Sequence, residues 1–464
     1  MFEEVEHRLE SVLERVRGQS ASATVDPDSG RIIRDVTDPA YLRKLLNDVQ
    51  SKAPATERIP DDAFQEADQE LADATGASPD GHTKPVFIPR TATNGILQSV
   101  VTTCIESRAD QLLDSVPEGL ARLAHAVLKD AEIFRQFGPC DPGWISTKIA
   151  EGLAMIDGKP AFPAEPAPPV RLADNARVLM VGDWGTGLPG AVLVAQQMRK
   201  WIEDGRGREQ HVIHLGDVYY SGWSEEYETR FLPYWPVDRD DREVMSWSLN
   251  GNHDMYSGGH GYFGFLLHDH RFRGHWLGDP ARQAPSSHFS VENEHWQIIG
   301  LDSAYIDHDL AGSQQQWLTE KLTASPKTML LSHHQPFTAF DPSVSQAMTV
   351  KVQRAVPADR PLDAWIWGHE HRCTVYADNP RTWLKFGSTV GNGGVPQMLP
   401  DPPLDPTPDD DAHAACTWSY DGAETVDGDS WLRFGFAVLD FDGPNVTIRY
   451  FDEHNTEVHS VTLS

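Results

Sequence analysis

Five short stretches of this chain end an apolar run with a side chain able to bind a metal. Residues 212–215 (VIHL) lead into 216–222 (GDVYYSG), residues 178–185 read VLMVGDWG, and residues 244–254 end in GNHD. Residues 329–336 read MLLSHHQP and residues 365–371 read WIWGHEH. A short β-branched run that stops at Gly-Asp reads as a buried strand with one carboxylate at its C-terminal tip, where open α/β sheets build their sites. Asp217 is the anchor on this reading. From Asp183 to Asp217, Asp217 to Asn252 and His333 to His369 the spacings are 34, 35 and 36 residues, the size of one β-α-β step. Successive strand tips then bring Asp183, Asp217, Asn252, His333, His369 and His371 to one edge of a sheet. Oxygen and imidazole donors in that mixture suit Fe, Zn or Mn, and a carboxylate shared between two ions suits a paired site. His369 and His371, two apart just past an apolar strand, put both rings on one side.

The series GD-x-G, GD-x-x-Y, GNH-D, a strand ending in His, and GH-x-H resembles the calcineurin-like metallophosphoesterase superfamily. Within it the pattern is most similar to the purple acid phosphatases of the small, tartrate-resistant type. The commoner branch carries Asp-x-His in its first motif, where this chain has Asp183, Trp184 and Gly185. The purple branch replaces that histidine by a tyrosine three residues after the second aspartate, which here is Tyr220. The resemblance covers roughly residues 178–372.

It implies two metal ions. The first takes Asp183, Tyr220 and His371, the second takes Asn252, His333 and His369, and Asp217 bridges both. A phenol with a pKa near 10 ligates only after a strongly Lewis-acidic ion deprotonates it, so Tyr220 points to Fe(III) in the first position. The second tolerates Fe(II), Zn(II) or Mn(II). Tyr219 is read as a half-buried structural aromatic. His333, directly after its strand, is preferred as ligand over His334, which is left as pocket lining or a phosphate contact. His253 resembles the residue that hydrogen-bonds the substrate phosphate or protonates the leaving alcohol, and Asp254 is expected to orient its ring. The implied activity is metal-dependent hydrolysis of a small-molecule phosphate ester, a monoester before a diester such as a cyclic nucleotide. A non-catalytic interaction module of the same fold is the other alternative, and the filling of all seven ligand positions argues for the enzyme.

The elements that must position these residues follow from the rest of the chain. Its 464 residues, 39% hydrophobic, are ample for a large core. The expected fold is α/β, a two-sheet metallophosphoesterase sandwich of β-α-β units with flanking helices, preceded by a mainly helical N-terminal region. Residues 1–158 form that N-terminal domain or cap, 159–170 (KPAFPAEPAPPV) a proline-rich linker, and 171–464 the catalytic domain. Helical patterns run over 2–17, 95–108 and 111–137, and over 190–204 within the catalytic part. Strands are expected at 287–291 and 296–302, and alternating runs from residue 431 read as closing antiparallel strands. The glycine-dense stretch 385–394 either lets the backbone approach the metals or a phosphate, or makes plain turns.

A net charge of -30 argues against binding DNA, RNA or an anionic membrane. No run approaches 18 apolar residues, so no transmembrane helix is expected. The opening MFEEVEHRLE is acidic and amphipathic, unlike a secretory signal, and a cytoplasmic protein is the expectation. Four scattered cysteines, Cys104, Cys140, Cys373 and Cys416, offer no C-x-x-C pair for a thiolate zinc site. Oligomeric state is not readable from the pattern.

Overall fold

In strand β1 (Arg177–Val181) all five side chains are buried, because a layer of structure covers each face. Val178 and Met180 face a core shared with Ile298, Met329, Leu331 and Ile366 of the opposite sheet. Leu179 and Val181 face the other way, into a cluster with Ala191, Val194, Ala195, Met198 and Ile202. Alternation of that kind with both sets apolar is what a sheet buried on both faces requires. The structure, a computed structural model, describes residues 154, 158–273, 283, 285–323, 327–341, 344–377, 382–399, 403, 412–426 and 429–464. The helices expected over 2–17, 95–108 and 111–137 lie outside the described residues.

Helix α1 (Pro189–Asp204) starts with proline in its first turn and stops at Gly205, a pairing that suits helix ends. Its buried positions recur at three and four residues and lie on β1 and on β2 (Gln210–His214). β1 and β2 pair in parallel, as do β2 and β3 (Val244–Ser248). These three strands form one side of a six-stranded sheet. Its other side is the antiparallel run Gly435–Asp442, Asn445–Asp452 and Glu457–Leu463, the closing strands that the alternating C-terminal pattern implies.

The second sheet has eight strands. At its centre β4 (Trp296–Gly300), β5 (Lys327–Ser332) and β6 (Ala364–Trp367) run parallel. Its outer face, carrying Ile299, Leu330, Trp365 and Trp367, packs in one cluster with Leu318 and Leu322 of helix Gln314–Thr323 and Met348 and Val352 of helix Ala347–Ala355. The described residues of 159–464 make a helix, sheet, sheet, helix sandwich. One expectation needs correction here: the strand tips do not lie along one sheet edge. β1, β2 and β3 belong to one sheet and β5 and β6 to the other, and their C-terminal ends meet across the core.

Residues 159–170 lie along this sandwich. Phe162 stacks on His288 with centroids 5.3 Å apart, Lys159 donates to the Tyr305 carbonyl at 2.7 Å, and Val170–Arg171 pairs with Phe289–Glu292. Prolines remove donors from such a segment, but its carbonyls and remaining N–H groups still find partners. No helix among the described residues is long and apolar enough to cross a membrane. Cys373 and Cys416 are both free thiols, and burial raises the Cys373 pKa.

Candidate metal centre

Each of β1, β2, β5 and β6 stops one to three residues before a side chain that turns into the space between the sheets. The turn is made by unusual backbone: φ is 55° at Asp183, 75° at Asp217, 68° at His369 and 49° at His371. Left-handed backbone is costly for residues with a Cβ and persists where the surroundings impose it. Here it aims four ligand-type side chains at one place.

Asp217 stands in the middle. Its Oδ1 accepts the His253 backbone N–H at 2.9 Å, which fixes the carboxylate, while Oδ2 lies 3.3 Å from His333 Nε2 and 3.1 Å from the Tyr219 hydroxyl. On one side Asp183 Oδ1 lies 3.4 Å from His371 Nε2, and Asp183 Oδ2 accepts the His369 backbone N–H at 2.7 Å. On the other side His333 Nε2 lies 3.0 Å from Asn252 Oδ1 and 3.2 Å from His369 Nδ1. Asp183, Asp217 and His371 make one set of donor atoms, and Asp217, His333 and His369 another, each within 4.8 Å of one another. Separations near 3 Å among carboxylate oxygens and imidazole nitrogens are the edges of a coordination polyhedron with bonds of about 2.0–2.2 Å. The residues fit a pair of cations sharing Asp217.

Neighbouring groups hold these donors in the needed state. His333 Nδ1 faces the Leu215 carbonyl at 2.9 Å, which leaves Nε2 for the site. The Asn252 amide nitrogen donates to the Tyr256 hydroxyl at 2.7 Å, four residues on in helix α2 (Asn252–Tyr256), so its oxygen turns inward. Burial keeps His369 and His253 below the usual imidazole range, with the neighbouring histidines adding to the effect at His369. Burial also opposes charge on His333, but the Asp217 carboxylate beside it wins and raises it to about 9.

The neighbouring tyrosine also reaches these donors: the Tyr219 hydroxyl lies within 3.2 Å of Asp183 Oδ1, 3.1 Å of Asp217 Oδ2 and 2.8 Å of His371 Nε2. Tyr220 instead places its ring under the Arg230 guanidinium, 5.2 Å from the centroid, and gives its carbonyl to His253 Nδ1 at 2.8 Å. The physical reason is the positive φ at Asp217, which breaks the strand's period of two and leaves residue counting without a fixed direction. A phenol has one proton, and three acceptor atoms surround that of Tyr219. Burial and the Asp217 and Asp183 carboxylates push its pKa well above 10.

His253 Nδ1 faces the Tyr220 carbonyl, and Asp254, expected to orient that ring, takes up backbone donors. Asp254 Oδ2 accepts the N–H groups of Gly251 at 2.7 Å and Asp217 at 2.9 Å, and Oδ1 accepts those of Val218 at 3.2 Å and the Tyr227 hydroxyl. It clamps the loop that carries Asp217 to the start of α2. Glu226 does the same for the next turn, accepting from the N–H groups of Tyr220, Ser221 and Trp223. Neither carboxylate has a motif of its own, although a buried acid three residues past a glycine at a helix start is a capping pattern.

Close approach explains two glycines. A Cβ on Gly251 would run into Asp217 Oδ1, and one on Gly391 would come 2.9 Å from Asp183 Oδ2. The glycine-dense stretch 385–394 therefore does bring backbone against the centre. Trp184 is a packing residue, buried against Phe231 and Trp235 with its indole N–H on the Ala191 carbonyl at 2.7 Å. His334 is turned away from Asp217, to Ser303, Asp307 and His308.

Comparison with known proteins agrees with this geometry. Residues 176–373 match the family model of calcineurin-like phosphoesterases. No curated protein matches the chain. Among solved structures, the Plasmodium protein described as "GAP50 the anchor in the inner membrane complex" is 14% identical, with a TM-score of 0.42, over 62% of this chain and 89% of its own. Vps29 of Entamoeba histolytica complexed with zinc is 13% identical over 62% and 98% of the two chains, with a TM-score of 0.26. The Thermus thermophilus sulfate thiohydrolase SoxB is 11% identical over 62% and 58%, with a TM-score of 0.32. At such scores none of them bears on function. The residues that match the calcineurin-like phosphoesterase model, 176–373, are those that carry every side chain of this strand-end centre.

Proposed function

We propose that the chain hydrolyses phosphate esters, monoesters in preference to diesters, at two cations that share Asp217. The observation that carries this reading is the position of Asp217 Oδ2 between the Asp183–His371 set and the His333–His369 set. Asp183, Tyr219 and His371 would hold one ion, and Asn252, His333 and His369 the other. Such a pair, when bound, neutralises phosphate oxygens and supplies hydroxide near neutral pH. The chain's own part is placement and proton transfer.

His253 is the group for the proton. Its Nδ1 is tied to the Tyr220 carbonyl, and its Nε2 lies 3.8 Å from Asp217 Oδ2, on the centre's edge. An anionic ester beside Nε2 favours the charged imidazole over the neutral one that burial favours. The charged ring then gives its Nε2 proton to the leaving oxygen. Replacing His253 by alanine should lower kcat about 10²–10⁴-fold for an alkyl phosphate. The loss should be much smaller for p-nitrophenyl phosphate, whose leaving group needs no proton; equal losses on both substrates would remove His253 from that role.

Turnover of p-nitrophenyl phosphate and of bis(p-nitrophenyl) phosphate, with Fe, Zn or Mn added in turn, tests the activity and orders the two ester classes. No turnover of either with any metal rejects it. A purple, Fe(III)-containing first position is the finer proposal, with Fe(II), Zn(II) or Mn(II) in the second. Iron-loaded protein should then show a visible charge-transfer band. Tyr219→Phe should abolish that band and Tyr220→Phe should leave it; the opposite result would return the ligand to Tyr220, and a colourless active di-manganese protein would exclude iron.

A further inference from the structure

Beside the paired centre stand two histidines that its chemistry does not use. His308 and His334 lie with ring centroids 3.8 Å apart, and His334 lies 4.8 Å from the ring of His369. The three can present donor atoms that all fall within 4.8 Å of one another. Asp307 stands beside two of them: its Oδ1 is 3.0 Å from His308 Nδ1 and 3.3 Å from His334 Nε2.

His334 is fully buried, and its Nε2 faces Asp307 Oδ1 at 3.3 Å. Its other nitrogen is set by Ser303 Oγ at 3.0 Å, the arrangement by which a ligating histidine is held in one orientation. Donors bound to one tetrahedral zinc stand about 3.3–3.4 Å apart, given bonds of about 2.0–2.1 Å. Asp307 Oδ1 already stands at 3.0 and 3.3 Å from the two imidazole nitrogens.

We propose that Asp307, His308 and His334 form a third cation site, separate from the pair, for a zinc-like divalent ion. His369 is the wall between the two: its Nδ1 faces His333, and its ring edges both groups. Two imidazoles and one carboxylate with an open position make a zinc site of the three-ligand kind. The Asp307 side chain is 70% exposed, so the ion enters from the solvent side. His308 is held at a φ of 55°, the same left-handed backbone used by the four ligand-type residues of the paired centre.

Equilibrium dialysis against zinc, read by elemental analysis of the full chain, tests this without reference to turnover. The wild-type protein should hold three ions, and Asp307→Asn and His308→Ala two. Asp183→Asn, which touches only the pair, should keep the Asp307-dependent ion. Titration with Co(II) should give a visible d–d band whose dependence on cobalt weakens at least tenfold in Asp307→Asn. Asp307 is exposed enough for that variant to keep the fold. A wild-type stoichiometry, whatever its value, that neither Asp307→Asn nor His308→Ala lowers overturns the proposal. An inactive protein that still loses one ion in Asp307→Asn would retain the third site while rejecting the hydrolytic reading.

Discussion

Asp217→Asn is expected to lower kcat/KM for a phosphate ester by at least about 10³-fold, the scale of losing one preorganised charged group from an active centre. The change is nearly isosteric, so the fold should survive it. What it removes is the one oxygen, Oδ2, that reaches towards both donor sets, standing 3.3 Å from His333 and 3.1 Å from the Tyr219 hydroxyl. An amide nitrogen in that place would present two protons to groups that must bind a cation. Metal content should fall with activity, since each ion loses its shared ligand. Elemental analysis beside steady-state kinetics checks both; a variant with full metal content and wild-type turnover would remove Asp217 from the centre of the account.

Asp254→Ala should reduce folding stability by about 3 kcal/mol or more, because it strands the N–H groups of Gly251, Asp217 and Val218 inside the protein at about 1–3 kcal/mol each. Asp254 is 1% exposed, so water replaces the lost acceptor poorly. Burial and the nearby Asp217 carboxylate raise its pKa to about 7, while the backbone donors and the Tyr227 hydroxyl pull it the other way. The measurement is the urea midpoint of wild type and variant in the same metal concentration. A shift worth under about 1 kcal/mol, within the range of ordinary surface substitutions and small defects, would mean the clamp is dispensable.

Where a strand tip meets its ligand was legible in the sequence, because an apolar run ending in Gly-Asp, Gly-Asn or Gly-His leaves few places for the side chain to go. Asp183, Asp217, Asn252, His333, His369 and His371 all arrive where those tips converge. The split into two sheets was partly visible too. From Asn252 to His333 the spacing is 81 residues, more than one β-α-β step holds, and the hairpin Phe289–Glu292 with Trp296–Gly300 lies in that gap. Choosing between Tyr219 and Tyr220 was beyond counting, since it depends on a backbone turn at Asp217 that no periodicity encodes. The backbone donors of Asp254 were hidden for a related reason: adjacency to His253 suggests a side-chain partner, and the donors come from the helix start and from a loop 36 and 37 residues earlier. His308 carried no motif at all. Its only signal is a place in the loop after β4, the same strand-then-loop design seen at the other tips.

The central claim, two cations sharing one aspartate, is tested most directly by anomalous diffraction from crystals of metal-loaded protein. Two peaks are expected, one on either side of the Asp217 carboxylate, the first in contact with Asp183 and His371 and the second with Asn252, His333 and His369. A single peak, or peaks that leave Asp217 bound to one ion only, would contradict it.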